Sequence, residues 1–298
     1  MRTFFFILAG GYGKRAKPLS LVKPKPLFPL DGTPLIKIML NQLNEKGLRR
    51  GFVNLHYLPE AFRQYVRETR DIPGITWLYE EKLSGSQILK GALGDMNGDD
   101  LLLATNGDIF LEIPIEAMLK EIKTSDADGV LLVRKKDENS KYTSILSEDG
   151  LFIGTEKYNG KPSYSESLMY TGVALLKKNI IRKIEHINFF DTLANHNFKI
   201  KVSLYDGIWL DIGNPASYME SNLKYKRYKD NGDPASNSLS ENVSISADSV
   251  VKHSIIWENT EIKNKSVIAH CIVTGNITLD HAHFENEIII SEVDSHRI

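Results

Sequence analysis

The sequence predicts an α/β protein, a mostly parallel sheet with helices on both faces, followed by a short coil of hexapeptide repeats. Three observations predict it. Wholly apolar, strand-like runs alternate with single amphipathic helical runs through the first half of the chain. The first of these runs empties into a loop of glycine, proline, lysine and arginine instead of a helix. Near the other end, Val250, Ile256, Ile262 and Ile268 stand six apart, a spacing that neither a helix nor a long strand produces.

Bulk properties agree with this class. The chain has 298 residues, 42% of them hydrophobic and 25% charged, as in an ordinary soluble protein. A formal net charge of -1 argues against a general nucleic-acid or membrane-surface binder. A single cysteine, Cys271, rules out an internal disulfide framework and a cysteine-based metal cage, and suits a reducing cytoplasm. The opening apolar run, residues 4–9, is shorter than the roughly 7–15 residues of a secretory core. No run approaches the ~18 apolar residues of a membrane span.

The elements follow in order. "TFFFIL" (3–8) reads as a strand buried on both faces. Thr33 and Pro34 form an N-cap and first-turn pair; Leu35, Ile36, Met39, Leu40 and Leu43 then recur at helical spacing, and Gly47 ends the run. "GFVNLHY" (51–57) predicts a strand, residues 59–70 a helix, "ITWLYEE" (75–81) a strand and residues 86–96 a helix. "DLLLATNGD" (100–108) is an apolar run ending in polar residues, 115–125 is helical and "GVLLVR" (129–134) is another buried strand. Apolar strands separated by single helices imply a mostly parallel, Rossmann-like sheet covered on both sides. Ligands of such sheets sit at the carboxyl ends of the strands. Both the glycine loop and Asn106-Gly107-Asp108 fall at that end.

From about residue 142 to 176 the text changes to short strands and turns, which predicts an antiparallel insertion. Short helices at 180–184 and 189–195 come next, then the strand "KIKVSLY" (199–205) and a strand, turn and helix in "GIWLDIGNPASYMESN" (207–222). Residues 231–238 belong to a polar linker, dividing a domain over 1–230 from an appendage over 239–298. The appendage supplies roughly three coils of a left-handed β-helix, about the minimum for a stable stack.

The opening loop carries the chemistry. A glycine-rich turn lets backbone N–H groups approach an anion closely. The dinucleotide fingerprint does not fit, because Gly10, Gly11 and Gly13 lead to Lys14 and Arg15 instead of opening a helix. A Walker loop does not fit either, since arginine follows Gly13-Lys14. The prolines of "KPKPLFPLDGTPLI" (23–36) hold Lys25 in one extended orientation, which a merely solvated basic loop would not need.

These residues resemble the signature of the sugar-1-phosphate nucleotidyltransferases, the nucleoside-diphosphate-sugar pyrophosphorylases. The resemblance runs through Gly10, Gly11, Gly13, Arg15, Pro18, Leu19, Pro24, Lys25, Pro26, Leu27, Pro29, Gly32 and Pro34. It continues in "NGD" at 106–108, "EK" at 156–157, "TG" at 171–172 and "WLDIGNPASY" at 209–218. The resemblance implies transfer of a nucleotidyl group from an NTP to a sugar 1-phosphate, with pyrophosphate leaving. Arg15 would hold the triphosphate and Lys25 would bridge phosphates near the attacked phosphorus. Leu8, Ala9, Gly10 and Gly11 would face base and ribose, with Gly13 and Gly107 close by. Asp108, counted with Arg15 and Lys25 among the catalytic residues, would share Mg²⁺ with Asp211. Asn106, Glu156, Lys157, Thr171 and Gly172 would surround the sugar phosphate.

The base-facing loop of the family, close to Leu-Gly-Thr-Ala-Gly, here reads Leu83-Ser84-Gly85-Ser86-Gln87-Ile88. Gly85 and Ser86 match. Gln87 either reads a base edge through its amide or caps the helix at Ser86. Tyr158 stands where the family has a proline. The compact sugar loop and the "WLDIGNPASY" ending are most similar to guanylyltransferases of mannose or heptose 1-phosphate. They imply GTP in preference to UTP and an uncharged sugar, with uridylyl or thymidylyl transfer as the alternative. A catalytically silent regulatory subunit of the same architecture would be expected to lack Arg15, Lys25 or an aspartate, and all four residues are present. An acyltransferase role for the coil would need more rungs than three. The expected partners are an NTP and a sugar 1-phosphate, with a homo-oligomer built through the coil and neither nucleic acid nor membrane. "HAHFE" (281–285) and "KYKRYK" (224–229) read as solvated surface.

Overall fold

The computed structural model describes residues 1–68, 74–137, 140, 142–156, 167–185, 188–230, 237–291 and 294–298. Its largest sheet has nine strands: β1 (Thr3–Leu8), β2 (Gly51–Leu55), β3 (Ile75–Tyr79), β4 (Leu101–Asn106), β5 (Gly129–Lys135), β6 (Ser144–Glu148), β7 (Leu151–Thr155), β8 (Leu168–Lys177) and β9 (Ile200–Leu204). Their spatial order is β3-β2-β1-β4-β8-β5-β9-β7-β6, with β6 also touching β8. Strands β3, β2, β1 and β4 are mutually parallel.

Two apolar layers enclose the sheet. Phe5 and Ile7 join a cluster with Leu35, Leu43, Phe62, Met118 and Tyr218, whereas Phe4 and Phe6 join another with Leu89, Ile180 and Leu193. Alternate side chains of one strand thus serve opposite layers, as a strand buried on both faces requires. The helices Leu35–Glu45, Pro59–Glu68, Ile115–Ser125 and Pro215–Asp230 lie where the sequence anticipates helices.

Several expectations need correction. Thr33 does not cap a helix: Thr33–Pro34 pairs antiparallel with Pro29–Leu30, and the N-cap position is Pro34, without a side-chain bond. Residues Gly85–Ala92 form a 3₁₀ helix where residues 86–96 promised an α-helix. The region expected as an antiparallel insertion is antiparallel but divided: β6 and β7 lie at the edge of the sheet, whereas β8 runs antiparallel between β4 and β5 in its middle. The sheet is therefore mixed: β3, β2, β1 and β4 are parallel, β8 runs against them, and β5 and β9 are again parallel to each other.

Beyond residue 237, short strands stack in three parallel ladders. Ile245 pairs with Ile262 and Ile262 with Leu279, while Ile256 pairs with Val273. Successive rungs are thus displaced by 17 residues in these ladders. The reason is a missing residue at one corner: inward positions run Ile245, Val251, Ile256, Ile262, Ile268, Val273, Leu279, stepping by six, five and six. Val250, which the six-residue spacing selects, points outward and is exposed, and Val251 packs inside.

One outer face of this stack is itself apolar. Ile255, Trp257, Ile272 and Ile288 join the same cluster as Phe28, Leu30 and Tyr218. Trp257 is fully buried, its ring 5.2 Å from Phe28, and its indole N–H donates to the Tyr218 hydroxyl at 3.1 Å. That hydroxyl donates in turn to the Pro29 carbonyl at 2.6 Å. Lys23 pairs with Glu258 and lies 5.1 Å from the Trp257 ring centre. The stack is seated on the proline-rich segment that also carries Lys25.

Candidate active site

A cavity of about 310 Å³ opens at the carboxyl ends of β1, β2 and β4. Leu8, Ala9, Gly10, Gly11, Gly13, Lys25, Asn106 and Asp108 line it, with Pro26, Asn54, Glu80, Leu83 and Gly85. The strand that ends at Leu8 therefore delivers the glycine loop to the place where parallel sheets bind ligands.

Backbone proximity explains the glycines. A Cβ on Gly10 would lie 2.6 Å from Asn54 Nδ2, and one on Gly107 2.9 Å from the Leu8 carbonyl. Gly13 has φ +62 and sits against Ser20, whose hydroxyl donates to the Gly13 carbonyl at 2.9 Å. The loop is thus fixed by close contact, leaving its N–H groups free of side-chain bulk.

Lys25 is 7% exposed and its ammonium lies 3.1 Å from Asp108 Oδ2. A lysine is rarely that buried unless paired, so this pair marks the floor of the site. Asp211 arrives from far along the chain. Strand Trp209–Asp211 pairs antiparallel with Ile109–Leu111, setting Asp211 opposite Ile109, the neighbour of Asp108. The Ile212 N–H donates to the Asp108 carbonyl at 2.9 Å. The sequence's two aspartates are brought together by this short ribbon.

The electrostatics record that proximity. Burial pushes the Asp211 carboxyl up, the hydroxyl of Tyr142 donating to it pulls down, and the like charge of Asp108 pushes up again. Lys25 and Arg15 oppose the rise, yet the carboxyl stays above its ordinary value. Tyr142 is itself raised, by burial and then by its bond to Asp211. Arg15 is exposed, and among the described residues its guanidinium has no hydrogen bond or ion pair of its own.

The remaining candidates divide. Gly172, at φ +97, packs so closely that a Cβ would meet Ile109 Cδ1 at 2.6 Å and Asn106 Nδ2 at 3.0 Å. Thr171 turns its hydroxyl inward to the Leu132 carbonyl at 2.8 Å, and its own carbonyl accepts from the Trp209 indole at 2.8 Å. Thr171 hence supports the ribbon that holds Asp211 and does not offer its hydroxyl to a ligand. Glu156 accepts from Ser144 at 2.8 Å, with Lys136 at 3.9 Å. Ser86 and Gln87 are not among the lining residues, and the Gln87 amide donates to the Glu185 carbonyl at 2.7 Å. That bond engages Gln87 in neither of its two expected roles. Lys157 lies outside the described residues.

Sequence reasoning missed Asn54, His56, Tyr12, Glu80, Tyr142 and Trp209. Asn54 accepts from the Ala9 N–H at 2.8 Å, and His56 bonds both the Glu80 carbonyl at 2.8 Å and the Tyr12 hydroxyl at 2.9 Å. A polar Asn54 inside the apolar run "GFVNL" was an available signal. Tyr142 gave none, because its link to Asp211 is purely tertiary.

A glycine-walled cavity at the carboxyl ends of parallel strands, lined by buried Lys25 paired with Asp108, has the architecture in which α/β proteins bind phosphate-bearing ligands. The chain belongs to the Nucleotidyl transferase family, whose model matches residues 5–228. Mannose-1-phosphate guanylyltransferase 1 of Arabidopsis thaliana is 28% identical over 226 residues, covering 72% of this chain and 62% of the relative. Mannose-1-phosphate guanyltransferase of Gibberella zeae is 26% identical over 230 residues, covering 74% and 63%. The chain thus spans somewhat under two thirds of the length of these curated relatives. Among solved structures, HddC of Yersinia pseudotuberculosis complexed with GMP-PN aligns with a TM-score of 0.61 at 22% identity, covering 76% of this chain and all of that one. That likeness concerns the fold. No helix of the described residues is long and apolar enough to cross a membrane.

Proposed function

We propose that this chain transfers a nucleotidyl group from an NTP to a sugar 1-phosphate, releasing pyrophosphate. The observation that carries the reading is the pairing of buried Lys25 with half-buried Asp108 at 3.1 Å in the cavity wall, with Asp211 set beside it by the Trp209–Asp211 ribbon. An oxygen of the sugar phosphate attacks the α-phosphorus, and the bond to the bridging oxygen of pyrophosphate breaks. The nucleophile is already anionic, so alignment and charge neutralisation replace a general base. Lys25 orients the phosphates around the reacting phosphorus. Arg15, exposed and without a hydrogen bond or ion pair among the described residues, takes the leaving pyrophosphate. Gly172 leaves room beneath the sugar ring, and Glu156 accepts from its hydroxyls.

Asp108 and Asp211 suit Mg²⁺, since the charge of Asp108 raises the cost of ionising Asp211 and a cation held by the two carboxylates would offset it. When bound, the ion supplies positive charge to the phosphates during displacement. The names of the guanylyl-transferring relatives support GTP over UTP, and mannose 1-phosphate or a related uncharged sugar phosphate as acceptor. We read residues 1–230 as the catalytic domain, 231–238 as a linker and 239–298 as a left-handed β-helix that contributes to a homo-oligomer in the cytoplasm.

The test is exchange of labelled pyrophosphate into NTP in the presence of the sugar phosphate and Mg²⁺. Asp108→Asn and Asp211→Asn keep side-chain shape and remove charge, so each should lower turnover at least ~100-fold. Normal turnover in both variants would overturn the reading.

A further inference from the structure

We propose that Tyr12 and His56 are a positioning pair, bracing the glycine loop in the shape that receives the triphosphate. The proposal rests on the nucleotidyltransferase reading and adds to it the side chains that hold the phosphate-binding backbone. Among the described residues, the N–H groups of Gly10, Gly11, Tyr12 and Gly13 make no hydrogen bond within the chain. Four consecutive unpaired donors suit an anion. For the same reason, no backbone N–H bond of the loop holds it in place.

The two ends of the loop are fixed by other means. Asn54 accepts from the Ala9 N–H at 2.8 Å and presses so closely on Gly10 that a Cβ there would lie 2.6 Å from its Nδ2. At the far end, the Ser20 hydroxyl donates to the Gly13 carbonyl at 2.9 Å. Between these points a Cβ on Gly11 would meet nothing within 4 Å, so packing does not place the middle of the loop. Glycine has the widest choice of backbone conformation, and this stretch would wander without a further tie.

Tyr12, the one side chain between Gly11 and Gly13, supplies it. Its hydroxyl lies 2.9 Å from His56 Nε2, and Nδ1 of the same ring lies 2.8 Å from the Glu80 carbonyl. A carbonyl only accepts, so Nδ1 carries the hydrogen, and Nε2 of the neutral ring accepts from Tyr12. His56 follows β2 and Glu80 follows β3. Two hydrogen bonds in series therefore run across the carboxyl ends of β1, β2 and β3. Ring contacts favour the same position. Tyr12 meets His56 edge-on, with centroids 5.1 Å apart, and meets Tyr57 at 5.8 Å. The Lys14 ammonium lies 5.6 Å from the centre of the Tyr12 ring, which keeps that cation beside the open donors. Tyr12 is 45% exposed, so it adds little to the core. What the bond adds is order in the loop before the nucleotide arrives, which lowers the cost of binding.

The experiment is calorimetric titration of the full chain with GTP and Mg²⁺, for the native protein, Tyr12→Phe, His56→Phe and the double variant, with KM measured for GTP and mannose 1-phosphate. Tyr12→Phe keeps the ring and removes only the hydroxyl. It should weaken GTP binding about 3- to 10-fold, the weight of one neutral hydrogen bond. KM for GTP should rise with it, while KM for mannose 1-phosphate and the melting temperature stay native. In the His56→Phe background the same change should cost nothing further. An equal loss in both backgrounds would show Tyr12 acting without His56 and overturn the proposal. Native GTP affinity in Tyr12→Phe would overturn it too, whether or not the His56 variants fold. A merely structural tyrosine would lower the melting temperature and weaken both substrates together, which is equally fatal. Coupled loss of GTP binding in a protein that performs no pyrophosphate exchange would instead sink the reaction and keep the brace.

Discussion

Lys25 and Arg15 stand in the same signature and meet opposite surroundings. Lys25 is buried against Asp108, whereas Arg15 projects from the loop without a partner of its own among the described residues. Their alanine variants should differ accordingly. On the proposed reading Lys25→Ala removes a phosphate contact, and it strips Asp108 of its cation, so both KM and kcat should suffer. Arg15→Ala should lower kcat while KM changes less, because the leaving group gains charge as the bond breaks. Steady-state kinetics on both variants decides this, and unchanged kinetics in both would return the loop to a solvated surface. At this scale the sequence was readable wherever function imposes a local pattern, as the prolines around Lys25 do. The place of Glu80 in the cavity wall was not readable, because it depends on Asn54 and Ser84 closing around its carboxylate. Gln87 misled because the family pattern aligned it with a site, while its amide found the Glu185 carbonyl instead.

Among the elements, β1 and β4 are joined before either begins. Asp100 accepts from the Arg2 N–H at 2.7 Å, from Arg2 Nε at 3.0 Å and from the Asn97 N–H at 2.8 Å. Burial works to raise this carboxyl, but the Arg2 side chain, the two backbone donors and the Arg2 charge outweigh it, holding the group well below its ordinary value of 3.8. A carboxyl lowered on folding stabilises the protein above its unfolded value, and that contribution is lost as pH falls toward the folded one. Asp100→Asn should therefore cost about 2 kcal/mol at pH 7. The gap from the native protein should narrow below about pH 4. Urea midpoints at pH 7 and pH 3 measure it, and an equal gap at both would count against the charge. Element identity was largely legible, since apolar period separates strand from helix. Strand direction was not: β8 is as buried as its parallel neighbours, and burial carries no sign of polarity. The rung length escaped for a related reason, because one skipped residue at a corner moves the inward position from Val250 to Val251 without breaking the apolar run.

For the whole molecule, the stack and the cavity share one support. Trp257 seals Phe28 and Tyr218, and a Cβ on Gly32 would collide with the Leu239 carbonyl. Truncation after Asn237 would lay this apolar seat open to water. The shortened protein should melt at lower temperature and turn over more slowly, since the segment holding Lys25 loses its backing. Trp257→Ala should reproduce much of the loss, about 3–5 kcal/mol for an emptied aromatic site. Denaturant unfolding and exchange activity of both forms check this; a truncated protein with the native midpoint would show the stack to be independent. The sequence disclosed the stack through its period and the glycine loop through its motif. Their contact lies in neither pattern, because it joins the outward residues of one to the reverse side of the other.

That contact bears on how the chain can diverge. Lys23 turns to Glu258 and Lys25 to Asp108, so two residues apart the same proline-rich segment answers to both ends of the protein, Lys25 opening a 3₁₀ turn (Lys25–Leu27) where the sequence predicts an extended residue. A change at Trp257 or Glu258 must be matched at Phe28, Tyr218 or Lys23 to leave Lys25 undisturbed. The stack and the opening signature should be inherited as a pair, each restricting the substitutions that the other tolerates. A chimera that takes its stack from a relative would need residues 23–32 and the facing turns of helix Pro215–Asp230 to travel with it.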